Sequence, residues 1–298
     1  MKPVNFWKNK KVMVTGSEGF IGKWLCERLT KKGAYLVSIK KQTDFAILKS
    51  FMKLYEIECI FHLGAQSQVG EAIKQPDETF KKNIQGTWDI LEAARQTRVN
   101  RIIIASTDKV YGEGFNKKEI DSLNAINPYD VSKIAVDKLA QSYMETYGMK
   151  IAITRFCNVY GGGDLNLQRI VPDTIITILK EKQPIIRSDG KTIREYIYIK
   201  DVVDAYLLLG QYDAFGGPFN IGTGETITAK TIVYEIISQM KRFKLIPKVL
   251  NQAKNEIQNQ SLNSDKFSKT FEWKPKYSFR KGLKETIRWY RENTRYWK

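Results

Sequence analysis

The stretch Lys11-Val12-Met13-Val14-Thr15-Gly16-Ser17-Glu18-Gly19-Phe20-Ile21-Gly22 decides the fold. Lys11–Thr15 is a short, nearly continuous apolar run, the pattern of a strand buried on both faces. Phe20, Ile21, Trp24, Leu25 and Leu29 then recur at helical spacing and predict a helix over Phe20–Lys32. Between strand and helix the glycines fall as G-x-x-G-x-x-G. Gly16 can make the sharp turn, Gly19 lets the backbone approach a pyrophosphate, and Gly22 lets helix and strand pack closely. The helix start adds unpaired N–H groups and a positive dipole end. The unit predicts a dinucleotide site contacted by Gly16, Gly19, Phe20, Ile21 and Gly22.

Beyond this unit the alternation continues. Strands are expected at Tyr35–Ile39, Cys59–Leu63, Arg101–Ala105 and Ile151–Phe156. Helices are expected at Phe45–Tyr55, Glu71–Thr97 and Tyr129–Tyr147. Alternating strands and helices imply an α/β, doubly wound parallel sheet. After Val159 the pattern loosens. Helices at about Val171–Lys182, Asp201–Leu209, Thr228–Lys241 and Gly282–Asn293 alternate with short strands, and the polar stretch Asn251–Ser264 reads as an exposed connection. The expected division is a dinucleotide-binding domain over residues 1–158 and a smaller α/β substrate lobe over 159–298, with some later segments returning to the main sheet.

Composition narrows the function classes. Of 298 residues, 42% are hydrophobic, enough for a real core. Cys26, Cys59 and Cys157 are odd in number and widely spaced, so neither a disulfide framework nor a metal motif follows. No apolar run is long enough to span a bilayer, and the polar start leaves no room for a signal peptide. A cytoplasmic protein with no membrane partner is the expectation. The net charge of +17 attracts anions, nucleotides and nucleic acid among them. Because the basic residues are dispersed, a lysine-rich solvated surface is the preferred reading. The densest stretch, Arg280 to Lys298, holds seven basic and two acidic residues. Leu283, Ile287, Trp289 and Tyr290 within it suit the buried stripe of an amphipathic helix better than a base-stacking surface.

Catalytic candidates follow the strand Arg101–Ala105. It ends in Ser106-Thr107-Asp108-Lys109, and the carboxyl ends of strands are where sites form in open α/β sheets. Further on comes Pro128-Tyr129-Asp130-Val131-Ser132-Lys133. Tyr129 and Lys133 lie one turn apart on one helix face. An ammonium beside a phenol favours the phenolate, so the pair suits proton removal from an alcohol as hydride leaves the carbon. His62, the only histidine, lies on a predicted buried strand and reads as a core residue without partners. Arg194, ahead of an aromatic strand, suits a pyrophosphate clamp or a surface position. Asn158, after a strand end, suits a phosphate contact or a plain turn.

Together these segments resemble the extended short-chain dehydrogenase/reductase family, the NAD-dependent epimerases and dehydratases, over nearly the whole chain. The resemblance includes Gly16/Gly19/Gly22, Phe61-His62-Leu63-Gly64-Ala65-Gln66, Asn83 with Gly86-Thr87, Ser106 to Gly112, Tyr129/Lys133, Arg155 to Gly161, Arg194-Glu195-Tyr196-Ile197 with Asp201-Val202, Asn220-Ile221-Gly222 and Trp273-Lys274-Pro275. It implies a Rossmann-type fold, an NAD(P) cofactor, a nucleoside-diphosphate sugar and a homodimer. Within the family, Thr107-Asp108 resembles the 4,6-dehydratases, many of which continue with Glu where this chain has Lys109. With Gly161-Gly162-Gly163-Asp164 and Arg169-Ile170-Val171-Pro172-Asp173, it is most similar to CDP-glucose 4,6-dehydratases. Leu63-Gly64-Ala65-Gln66-Ser67 also resembles the GDP-mannose enzymes.

The resemblance implies these roles. Tyr129, tuned by Lys133, takes the C4 hydroxyl proton, Thr107 orients the C4 oxygen, Asp108 protonates the departing C6 hydroxyl, and a neutral Lys109 is the base at C5. Gly64, Ala65 and Gln66 join the glycine turn, Tyr129 and Lys133 around the cofactor. Ser67, Asn158, Arg169 and Arg194 contact substrate.

There is one departure. The segment Gly33 to Asp44 is much shorter than the family's, so a strand and the adenine-contacting loop are expected to be missing. Asp44 is the stand-in for the acidic residue there. Lys40 and Lys41, where a carboxylate usually binds ribose, favour a 2′-phosphate and hence NADP, whereas the resemblance favours NAD. Two other functions stay open. One is an NDP-sugar 4-epimerase or C4 oxidoreductase. The other is a non-catalytic cofactor- or nucleic-acid-binding protein.

Overall fold

A computed structural model describes residues 5–39, 43–99, 101–212, 216–252 and 257–297. The first strand, β1 (Lys11–Thr15), pairs in parallel with β2 (Tyr35–Ile39) and β3 (Cys59–His62). The sheet continues through β4 (Ile102–Ala105). A short strand, β5 (Gly114–Lys117), lies outside it, and β6 (Ile151–Phe156) follows β4. Beyond come β7 (Asn158–Tyr160), β8 (Ile185–Ile186) and β9 (Ile193–Tyr198). The strand β10 (Gly217–Ile221) returns to the main sheet beside β6. The strands β11 (Thr226–Thr228), β12 (Lys248–Val249) and β13 (Gln260–Leu262) complete the set among the described residues. The six-stranded sheet runs β10-β6-β4-β3-β1-β2, all parallel. The strand order reverses at β1, which opens the crevice at the carboxyl ends of β1, β3 and β4 where ligands bind in such sheets.

Period-two alternation explains why the strands are apolar throughout. Val12 and Val14 point into one core, with Phe61, Ile103 and Ala152. Met13 points into the other, with Ile60, Ile102, Ile104, Ile151 and Ile153. Helices α1 (Phe20–Lys31) and, later in the chain, Ile199–Gln211 cover the first face. The second is covered by α2 (Phe45–Leu54), by Gly86–Thr97 and by Pro128–Tyr147.

The expected helix over Glu71–Thr97 is not continuous. It divides into α3 (Val69–Lys74), α4 (Pro76–Phe80), a π-helical turn at Lys81–Gln85 and α5 (Gly86–Thr97). Pro76 lacks an N–H for the helical ladder and clashes with the preceding turn, so it starts a new helix. The next helix, α6 (Pro128–Tyr147), uses Pro128 as a helix starter and stops at Gly148, whose left-handed conformation closes it. The remaining helices are α7 (Ile170–Leu179), α8 (Ile199–Gln211), α9 (Ala229–Gln239), α10 (Asp265–Phe271) and α11 (Phe279–Glu292).

In α11, Leu283, Thr286, Ile287 and Tyr290 are buried while Arg280, Lys281, Lys284, Arg288 and Arg291 face outward. That is the amphipathic arrangement expected from the sequence. The stretch Asn251–Ser264 departs from the expected exposed connection. Its β13 is buried beside β5, and the Leu262 amide donates to the buried carboxylate of Glu195 at 2.9 Å. No helix of the described residues is long and apolar enough to cross a membrane.

Candidate active site

The glycine turn is built as its sequence demands. Gly16 adopts φ +67°, and a Cβ there would lie 2.8 Å from the Gly64 nitrogen. A Cβ on Gly22 would run into the Gly16 carbonyl. Helix α1 begins at Gly19 with no side-chain cap and no acidic residue in its first turn, leaving its N–H groups and positive end open to an anion. Ser17 sits inside the turn, and its buried hydroxyl has no hydrogen-bond partner among the described residues. A buried hydroxyl without a partner is costly and suits a phosphate oxygen. These features fit the pyrophosphate of a nicotinamide dinucleotide, with Phe20 and Ile21 following in the same turn.

The loop after β3 is tied to this turn and to α6. Gly64 N donates to Thr15 Oγ1 at 3.0 Å. Gln66 N donates to Asn83 Oδ1 at 2.7 Å, and Asn83 Nδ2 donates in return to the Gln66 carbonyl at 3.0 Å and to Ser132 Oγ at 2.8 Å. Ser132 in turn donates to the Tyr129 carbonyl at 2.6 Å. Asn83 and Ser132 therefore fix Gly64, Ala65 and Gln66 against the helix that carries Tyr129 and Lys133. Asn83 was visible only through family resemblance, because no local pattern marks a buried asparagine on a π-helical turn. Ser67 is exposed beyond this loop.

His62 is buried as expected, but it has partners. Its ring nitrogens lie 2.8 Å from Thr15 Oγ1 and 3.0 Å from Thr87 Oγ1. Those threonines come from β1 and α5, which local sequence does not connect. Burial, followed by the Lys133 charge, pushes its pKa down to about 3, so the ring is neutral.

Thr107, Asp108, Tyr129 and Lys133 are all buried and come together at the end of β4. Lys133 Nζ donates to the Ala105 carbonyl at 2.8 Å. Burial lowers its pKa to about 8, against the Asp137 charge. Thr107 Oγ1 donates to Asp108 Oδ1 at 3.0 Å. Burial pushes the Tyr129 phenol up, while Arg169 and the Thr107 contact pull it down. Lys109 Nζ lies 3.4 Å from Asp108 Oδ1 and 3.3 Å from Asn158 Oδ1. Asp130 is a buried carboxyl that the sequence reading passed over. Burial raises its pKa to about 6, with Lys109 opposing.

The remaining candidates are more dispersed. Arg169 stands at the N-terminal boundary of α7, pairs with Asp164 at 3.0 Å and acts on Tyr129. Asn158 Nδ2 donates to the Glu195 carbonyl at 3.1 Å. Arg194 donates to the carbonyls of Ile193 at 2.9 Å, Gln258 at 3.0 Å and Ile257. Asp44 is exposed and caps α2, accepting from Ala46 N at 2.8 Å. Lys40 and Lys41 lie outside the described residues. Among the described residues no group of three or more His, Cys, Asp or Glu side chains is placed to hold a metal ion.

The parallel sheet thus carries a glycine turn at its reversal point and brings Thr107 and Asp108, at the end of β4, together with Tyr129 and Lys133 of α6. The chain belongs to the NAD dependent epimerase/dehydratase family, whose model matches residues 12–222. It is 29% identical to the dTDP-D-glucose 4,6-dehydratase of Homo sapiens, over 97% of this chain and 92% of that protein. Its fold is similar to the UDP-glucose 4-epimerase of Thermotoga maritima, with TM-score 0.91, 26% identity, and 95% and 99% of the two chains covered. It is also similar to the dTDP-glucose 4,6-dehydratase of Streptomyces venezuelae with NAD bound, with TM-score 0.88, 25% identity, and 97% and 99% covered.

Proposed function

We propose that this chain is a nucleotide-sugar 4,6-dehydratase, converting an NDP-hexose to its 4-keto-6-deoxy derivative by internal hydride transfer. The observation that carries this reading is the place of Asp108. A buried carboxyl accepts the Thr107 hydroxyl at 3.0 Å, and its charge acts on buried Tyr129. Oxidation at C4 needs Tyr129, Lys133 and Thr107. Only loss of the C6 hydroxyl also needs an acid beside them. The similarity to dTDP-D-glucose 4,6-dehydratases supports the same reading.

Bound nicotinamide supplies the hydride acceptor and donor. The turn Gly16–Gly22 and the start of α1 would hold its pyrophosphate, Gly64, Ala65 and Gln66 would line it, and Lys133 would reach it from α6. NAD is the proposed cofactor, by family. Lys40 and Lys41 make NADP the alternative, and calorimetry with each dinucleotide separates them.

The Asp108/Lys109 pair is assigned to proton transfer at C6 and C5. Ser67, Asn158 and Arg169 are assigned to the sugar nucleotide. Arg194 joins them by exchanging carbonyl partners for phosphate oxygens, an exchange that charge favours. The base and hexose remain those of the sequence reading, CDP-glucose or a GDP-sugar, with the dTDP- and UDP-sugars of the relatives as rivals. The test is incubation with CDP-, GDP-, dTDP- and UDP-hexoses, following the 4-keto product by mass and absorbance. A C4 epimer with no loss of water would favour the epimerase reading, which the fold of the Thermotoga maritima enzyme supports.

A further inference from the structure

We propose that the corner of the molecule formed by residues 180–186 and 241–249 is a docking surface for an anionic lipid membrane. Nothing in it depends on the reaction catalysed.

The sequence of this corner mixes two kinds of residue. Lys241-Arg242-Phe243-Lys244-Leu245-Ile246-Pro247-Lys248-Val249 interleaves four basic residues with Phe243, Leu245, Ile246 and Val249, and holds no acidic one. The fold sorts them. Helix α9 ends at Gln239, and Lys241 takes φ +58°, which turns the chain back. The Leu245 amide donates to the Arg242 carbonyl at 2.9 Å, so Phe243 and Lys244 form the tip of a turn. From there exposure alternates. Leu245 packs against the core and Pro247 is buried, whereas Lys244, Ile246 and Lys248 are exposed.

The strand β12 then pairs with β8, which sets Lys248 beside Ile185. Gln183 Nε2 donates to the Ile246 carbonyl at 2.8 Å, and Lys248 N donates to the Pro184 carbonyl at 2.9 Å. These bonds hold the connection after α7 against the turn after α9. Phe243 is 73% exposed and Ile246 70%, and Ile185 and Val249 are exposed on the paired strands. Lys180, Lys182, Lys241, Arg242, Lys244 and Lys248 are exposed in the same two segments. Glu181 is their one acidic residue, and Arg242 pairs with it at 3.5 Å.

Apolar side chains exposed singly are ordinary, but four at one corner mark a contact surface. A lipid headgroup layer takes both kinds of residue. Aliphatic and aromatic side chains enter the acyl boundary, while lysine and arginine stay with the anionic headgroups. Each basic residue near such a layer raises affinity about fivefold. A nucleic acid would use the charges, but Ile185, Ile246 and Val249 have no ring to stack on its bases. No helix among the described residues can span a bilayer, yet a peripheral contact needs only a surface. Docking here leaves the catalytic crevice open. Arg169, which acts on Tyr129, stands at the N-terminal boundary of α7, and the corner adjoins its other end, about 15 Å away by helix rise.

Sedimentation with vesicles tests this in the full-length chain. Vesicles of phosphatidylcholine with about one third phosphatidylserine should retain the protein, pure phosphatidylcholine should not, and raised salt should release it. Phe243→Ser combined with Ile246→Ser should weaken retention by about tenfold or more at unchanged net charge. Lys244→Glu combined with Lys248→Glu should also abolish most of it. The same charge change at exposed Lys32 and Lys53, as Lys32→Glu with Lys53→Glu, should have far less effect. Thermal unfolding of all three variants should stay close to wild type. No retention on anionic vesicles, equal retention on both vesicle types, or equal losses from the near and remote lysine pairs overturns the proposal. Retention that survives loss of Phe243 and Ile246 does the same, because only the diffuse charge of the chain would then be at work. Displacement from the vesicles by a single-stranded oligonucleotide, whose own binding the Phe243 and Ile246 double variant loses, would make the corner a nucleic-acid face instead.

Discussion

The Asp137 carboxylate receives the Arg155 guanidinium in a two-pronged contact, 2.7 Å from Nε and 2.6 Å from Nη2. Asp137 lies one helical turn beyond Lys133 and two beyond Tyr129, so this buried pair anchors the catalytic face of α6 to β6. Arg155 Nη1 also donates to the Tyr111 hydroxyl at 2.6 Å, and Tyr111 donates on to Asn220 Oδ1 at 2.7 Å. Removing one member leaves a buried charge without its partner. Asp137→Ala should therefore cost about 3–5 kcal/mol of stability. Urea unfolding would measure it, and a loss within a few tenths of wild type would show that the pair does not anchor α6.

Tyr129→Phe should abolish turnover while fold and NAD affinity stay near wild type. The buried ring remains to pack, and only the hydroxyl is lost. Near-normal turnover on a verified substrate would remove Tyr129 from the proton-accepting role.

Much of this site was legible because its parts are local. The glycine turn follows from a strand, three glycines and an amphipathic helix within one short segment. Tyr129 and Lys133 share a face because they are four residues apart on a helix. What escaped depends on contacts between distant segments. The Thr15 and Thr87 hydroxyls reach His62 from other elements. The Glu195 carboxylate gathers the amides of Thr223, Gly224 and Leu262, which draws β13 inward from what reads as a polar loop. The turn of Arg194 toward residues 257 and 258 depends on the same packing.

His62 gives a pH signature. Its folded pKa of about 3 lies below the ordinary histidine value of about 6.5. The unfolded chain therefore binds a proton there that the folded chain refuses. The stability this group contributes is complete above pH ~6.5 and is lost as pH falls from there toward 3. Wild type should show a steeper fall in that window than His62→Gln, by up to about 1.4 kcal/mol per pH unit. Equal slopes in denaturant titrations would show that His62 protonates freely in the native state.

The proposed dimer would use α5 and α6. Of the apolar residues on these helices, Ile90, Leu91 and Tyr143 belong to the core on the second face of the sheet. Trp88, Val131 and Tyr147 are exposed on these helices, and Ile73 on α3 precedes them. A monomer in light scattering at micromolar concentration would count against the dimer. Trp88→Glu should shift a dimer toward monomer while leaving the buried face of α5 intact.

Asp108→Asn separates the readings of the reaction. Asparagine keeps the shape and can still accept the Thr107 hydroxyl, whose oxygen lies 3.0 Å from Asp108 Oδ1. It can neither take up a proton nor deliver one. Loss of a general acid typically costs ~10²–10⁴-fold, and formation of the 4-keto-6-deoxy product should fall by about that factor. Cofactor reduction should persist in the same variant, because Tyr129, Lys133 and Thr107 serve the C4 step. An acid that serves C6 leaves reduction untouched, and single-turnover absorbance of the reduced cofactor checks it. If Asp108→Asn forms product at the wild-type rate, Asp108 is not the acid. Thr107, Tyr129 and Lys133 would then suffice for the chemistry, as a C4 epimerase or oxidoreductase requires.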